Sequence, residues 1–133
     1  MRALTALLLT VICAFARAGD LAPTESQKID YLIDAIATLE HAQFVRNGTA
    51  YDAKEAADHL RLKLKNAGSR VKSAEDFIRL CASVSSMSGI PYQVRFSDGR
   101  VVTSEAFLRQ KLAEFQSHIG GASNNALERE HSQ

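Results

Sequence analysis

Cysteine is scarce in this chain: there are two, and Cys13 falls inside the first eighteen residues, which have the form of a removable export signal. Only Cys81 is left once that segment is gone. No internal disulfide can then brace the domain, even in an oxidising compartment, and the core has to hold through apolar packing. An excess of charge of one sign is lacking as well. Loss of Arg2 and Arg17 takes lysine plus arginine from 16 to 14 against 15 acidic residues, a formal charge of −1. Nucleic-acid binding calls for a basic excess, so no nucleic-acid partner is expected. Long apolar runs are missing apart from Ala3 to Phe15, which is too short to span a bilayer comfortably as a mature helix.

That run has the parts of a secretory signal. Met1-Arg2 supplies the positive start, Ala3 to Phe15 the apolar centre, and Ala16-Arg17-Ala18 an A-x-A site that places cleavage before Gly19. The residue before Cys13 is the bulky Ile12, where a lipoprotein signal needs a small one, so no stable membrane anchor is expected after cleavage. The chain therefore divides into a cleavable signal peptide at 1–18, a single globular domain at 19–121 and a disordered polar tail at 122–133. One domain of this size buries roughly two thirds of its unfolded surface, and there is no room for a second.

The most strongly patterned stretch is Tyr51 to Gly68, and the other elements are read as packing around it. Asp52 with Glu55 forms a capping box at its start, and Gly68 suits a positive-φ cap at its end. At 100° per residue, Ala53, Ala56, Ala57, Leu60 and Leu64 share one arc, while Lys54, Asp58, Arg61 and Lys65 share the opposite one. Leu62 is expected to add a second apolar contact on the flank. An earlier helix starts at Thr24 and Gln27 and runs to about His41, with an apolar stripe of Ile29, Leu32, Ile33, Ile36 and Leu39 from which Tyr31 points away.

Asn47-Gly48 between strand-prone residues marks a small hairpin or tight loop at Phe44 to Tyr51. Ser73 opens a third helix that turns Phe77, Ile78, Cys81 and Ala82 to one side; Tyr92 to Phe96 alternates as a half-buried strand, and Ser97-Asp98-Gly99-Arg100 turns it into Val101-Val102-Thr103. Ser104 is read as the cap of a last helix ending at Gly120-Gly121, with His118 in its final turn. The fold class is α+β, mainly helical: about four helices on a small antiparallel element of one or two hairpins.

Chemistry-bearing residues gather in three places. Glu55, His59 and Lys63, at i, i+4 and i+8, line one edge of the patterned helix, where a histidine titrates near neutrality beside a lysine. Arg46 and Asn47 lie in the hairpin. Ser85, Ser86 and Ser88 crowd the passage from helix to strand, where serines turn the chain or form a nest for a carboxylate or phosphate. No serine stands in a G-x-S-x-G elbow, and the S-x-x-K match at Ser69 to Lys72 lacks its companion motifs. Glu55 and His59 lack the H-E-x-x-H pattern, and no metal or cofactor is expected.

Several separate blocks, Phe44-Val45-Arg46-Asn47-Gly48, Tyr51, Glu55-Ala56-Ala57, His59-Leu60-Arg61, Lys63, Ala74-Glu75, Phe77-Ile78, Ser85-Ser86-Met87-Ser88-Gly89 and Pro91-Tyr92, resemble the YfeK-like family of small exported bacterial proteins, a domain of unknown function. The resemblance spans about three quarters of the mature domain. It implies export to the periplasm and one small domain, and carries no catalytic residue across. The expected function is a non-catalytic binding or interaction module of the bacterial envelope, its partner an envelope protein or a small anionic ligand. The candidate binding residues are Arg46, Asn47, Glu55, His59, Lys63, Ser85, Ser86 and Ser88, and no catalytic residue is assigned. The alternative is a small hydrolase or transferase using His59 as general base with a loop serine as nucleophile.

Overall fold

Thr24 accepts a hydrogen bond from the Gln27 amide while the Gln27 side chain accepts from the Thr24 amide, so the first helix starts where the capping box places it. The computed structural model describes residues 23–130. The signal peptide read at 1–18 and the last three residues of the tail lie outside the described residues.

The first helix, α1, is Glu25–Ala37, four residues shorter than the apolar stripe suggests. Thr38 turns its hydroxyl back to the Asp34 carbonyl, and the chain reverses through His41 at φ +56°. Strands β1, Gln43–Arg46, and β2, Thr49–Tyr51, form the expected hairpin, with Phe44 opposite Tyr51 and Arg46 opposite Thr49. Asn47 and Gly48 both take positive φ, +50° and +78°, the geometry that fits a two-residue turn to the twist of the strands.

Helix α2 is Ala53–Ala67, opened by the reciprocal Asp52 and Glu55 hydrogen bonds and closed at Gly68, φ +54°. Its Ala57 and Leu60 are buried and Lys54, Asp58, Arg61 and Lys65 exposed, as the helical wheel requires. Leu62 departs from the expectation: it is 54% exposed.

A single α-helical turn, α3, Ala74–Phe77, follows and widens into a π-turn at Ile78–Ala82. The Ser83 hydroxyl donates to the Ile78 carbonyl at 2.7 Å, satisfying a group that the wide turn leaves to its i+5 neighbour. Phe77, Ile78, Cys81 and Ala82 are all buried there.

Strands β3, Gln93–Arg95, and β4, Val101–Thr103, complete a four-stranded antiparallel sheet in the order β2-β1-β3-β4. The two hairpins join through β1 and β3, which pair Phe44 with Val94. Helix α4 spans Ser104–Glu130. Its cap is Thr103, whose hydroxyl accepts from the Ala106 amide, and not Ser104, whose own amide donates to the Tyr92 carbonyl. The helix does not stop at Gly120-Gly121. Neither glycine has positive φ, and each costs a helix only about 1 kcal/mol.

Helices α1 and α2 share the centre of the packing: α1 touches α2, α3 and α4, and α2 touches α1, the π-turn and β1. Leu32, Ile36, Phe77, Ile78, Val94 and Leu108 are fully buried where these helices meet the sheet. Tyr31 does not point into solvent: α4 returns across the flank of α1 and sets Phe115 against it, ring centroids 4.6 Å apart.

Candidate functional site

The β1–β2 turn, one edge of α2 and the start of β3 enclose a cavity of about 320 Å³. Its apolar wall comes from Ile36, Phe44, Val45, Ala56 and Leu60; Arg46, Tyr51, His59 and Tyr92 supply the polar part. Strand alternation explains how one short hairpin contributes to both. Phe44 turns into the core and Arg46, two residues on, comes up on the same face at the open end, next to the middle of α2.

Arg46 is half-buried and meets two rings. Its Nη2 donates to the Tyr51 hydroxyl at 3.1 Å, and its guanidinium carbon lies 5.0 Å from the centre of that ring. Its Nη1 is 3.0 and 3.1 Å from the two nitrogens of His59. One nitrogen so placed sits against the imidazole, and at most one of the two contacts is a directed hydrogen bond.

On the other side of His59, Nε2 is 3.3 Å from the Tyr92 hydroxyl, and Lys63 Nζ donates to that same hydroxyl at 3.2 Å. Lys63 cannot accept, so the phenol accepts from the ammonium and is free to donate to Nε2 of a neutral His59. Burial first, and then the positive charges of Arg46 and Lys63, hold the imidazole below its ordinary range. A chain of hydrogen bonds thus runs from Lys63 through Tyr92 to His59.

The serine loop is tied to this arrangement by three contacts. Lys63 Nζ also donates to the Val84 carbonyl at 3.0 Å. The Asn47 amide at the hairpin tip works in both directions, accepting from the Ser88 hydroxyl at 2.6 Å and donating to Ser85 Oγ at 3.3 Å. Ser85 is buried, and its backbone amide and carbonyl close the loop on Ile90 and Gly89. Ser86 is exposed and takes no part in these bonds.

Of the eight sequence candidates, Arg46, His59 and Lys63 converge with Asn47, Ser85 and Ser88 on one side of the molecule. Glu55 lines the cavity, but its carboxylate is occupied by the Asp52 amide. The i, i+4 pair of Glu55 and His59 therefore does not turn both groups to a common point. No serine hydroxyl lies within hydrogen-bonding distance of His59 among the described residues, whose ring contacts are Arg46 and Tyr92.

Sequence reasoning overlooked Tyr51 and Tyr92 as polar members of the site. The signal was available: a tyrosine placed on the buried side of a strand needs a partner for its hydroxyl.

Charge distinguishes this cavity from the shallower groove between α1 and α2. There Arg61 is flanked by Asp34 at 3.8 Å and Asp58 at 3.1 Å. In the cavity the two acids present, Glu55 and Asp58, are committed to the Asp52 amide and to Lys54 and Arg61. Neither Arg46 nor Lys63 has a carboxylate within 4.0 Å among the described residues. The arrangement is equipped to present N–H and O–H donors to an anion.

A family profile described as "Family of unknown function (DUF5329)" matches residues 23–116. This chain belongs to that family. Every cavity residue named above falls inside the matched region. The chain is also similar to "Uncharacterized protein YfeK" of Salmonella typhimurium, at 46% identity over 68 residues, which is 51% of this chain and 57% of that protein. The match thus spans little more than half of the relative's length. No solved structure matches the chain.

Proposed function

We propose that this protein is a non-catalytic binding module of the bacterial envelope, exported to the periplasm by residues 1–18. It engages its partner at the cavity between α2 and the β1–β2 turn. The observation that carries this reading is the pair of cations at the site, Arg46 in the wall and Lys63 behind Tyr92, held by hydroxyls and an imidazole, with no carboxylate within 4.0 Å of either among the described residues. A cation kept near an apolar cavity without a counter-ion favours an anionic group arriving from outside. His59 fits the same role, since burial and the charges of Arg46 and Lys63 lower its proton affinity and keep it from adding a third charge.

The test is capture from periplasmic extract under mild crosslinking, comparing the wild type with an Arg46→Ala/His59→Ala double variant of matched circular dichroism. Loss of the captured component in the variant supports the module; identical capture by both removes this surface from the interaction. Export is checked separately. The mature protein in the periplasmic fraction should begin at Gly19, and a chain retaining Met1 in the cytoplasm defeats the envelope assignment.

A further inference from the structure

We infer that the cavity takes a small monocarboxylate with an unbranched apolar tail, the carboxylate on Arg46 and the tail along Ile36, Phe44, Val45, Ala56 and Leu60. This ligand class presupposes the binding role proposed above and adds the chemistry of the occupant.

Three features select it. The first is size: about 320 Å³ equals the space of about ten waters at about 30 Å³ each, which suits a chain of similar heavy-atom count and not a peptide segment or an oligosaccharide. The second is the separation of functions within the wall. Arg46, Tyr51, His59 and Tyr92 are joined by close polar contacts into one group beside the apolar residues of α1, β1 and α2, while the lining acids Glu55 and Asp58 bond to the Asp52 amide and to Lys54 and Arg61. A ligand that fills both must be polar at one end only.

The third feature is the donor set. Arg46 has five N–H donors, and its contacts to Tyr51 and His59 leave several for a planar, bidentate acceptor. Lys63 donates to the Val84 carbonyl and the Tyr92 hydroxyl and does not line the cavity, so its charge acts from behind Tyr92 and a single guanidinium faces the ligand. One fork with one positive charge matches a carboxylate. A phosphate dianion asks for more donors than this wall presents.

The experiment is calorimetric titration of protein expressed from the full chain with butanoate, hexanoate and octanoate. Octanol, octylamine and inorganic phosphate serve as probes of the same tail or the same charge. In the wild type, affinity should rise about fourfold per added methylene. Octanoate should bind at least tenfold more tightly than octanol or octylamine, and phosphate should give no saturable heat. The Arg46→Gln variant should reduce the preference for octanoate over octanol to within about threefold.

Equal affinity for octanoate and octanol in the wild type would overturn the inference, as would an absence of chain-length dependence or saturable binding of phosphate alone. The selectivity series uses the unmodified protein, so the outcome does not hang on the folding of a variant. If capture of an envelope component depends on Arg46 while no carboxylate binds, the ligand class falls and the binding module stands. If carboxylates bind with this selectivity and capture is unaffected, the reverse holds.

Discussion

The Tyr92 hydroxyl stands 3.3 Å from Nε2 of His59, at the point where the start of β3 passes the middle of α2. Tyr92 is buried, and its hydroxyl is also the acceptor for Lys63. Tyr92→Phe keeps the ring and removes the one oxygen that both neighbours share. The expected cost is about 1–2 kcal/mol in urea unfolding, the range for withdrawing a hydrogen bond from partly buried partners. An unchanged midpoint would show that the hydroxyl contributes nothing to holding the cavity wall.

His59 makes stability depend on pH with a definite sign. Its folded value lies below its unfolded one, through burial first and then Arg46 and Lys63, so the unfolded chain takes up the proton at a higher pH. The contribution is therefore complete above the unfolded value near about pH 6.5 and is lost as pH falls through the folded value. The urea midpoint should drop between about pH 7 and pH 5, and His59→Gln should flatten the drop. Glu25 and Asp76, held low by hydrogen bonds from Lys28 and Arg79, lose their contributions only below the carboxylate values of about 4 to 4.5. A profile equally steep in His59→Gln would assign the effect elsewhere.

Leu60 and Leu62 are close neighbours on α2 with opposite environments, one buried and one 54% exposed. Leu60→Ala should cost about 2–5 kcal/mol, since it opens a void in the core. Leu62→Ala should stay within about 0.5 kcal/mol. Equal losses in urea would mean that the helix is rotated from the orientation described.

Asn47 holds both a positive-φ turn position and the two serine contacts, and Asn47→Gly separates these roles. Glycine keeps the turn but releases Ser85 and Ser88. The hairpin should persist while the Gly89 amide, bonded to the Ser85 carbonyl at 2.8 Å, exchanges with solvent faster. Unchanged exchange at Gly89 would leave the loop closed by its own backbone alone.

Local signals placed most of the elements. Capping boxes at Thr24/Gln27 and Asp52/Glu55 set two helix starts, and Asn47-Gly48 set a hairpin, because each depends on neighbours within four residues. The buried set Phe77, Ile78, Cys81 and Ala82 was also legible, although the π-turn that carries it was not. The errors share a cause. Tyr31 and Leu62 lie on helix flanks, where burial is decided by an element far along the chain: α4 covers Tyr31, and Leu62 stays 54% exposed.

By itself, then, the sequence determined a mainly helical α+β domain and the residues from which a site could be drawn. Helical periodicity, turn chemistry and cysteine count are properties of short segments or of composition. Only the tertiary structure decided that β1 pairs with β3, that α1 and α2 share the centre of the packing, and that Tyr51 and Tyr92 bring their hydroxyls to Arg46, His59 and Lys63. The side-chain contacts join residues up to 33 positions apart, the β1–β3 pairing reaches further, from Gln43 to Arg95, and all form when the apolar faces of α1, α2 and the sheet are buried together.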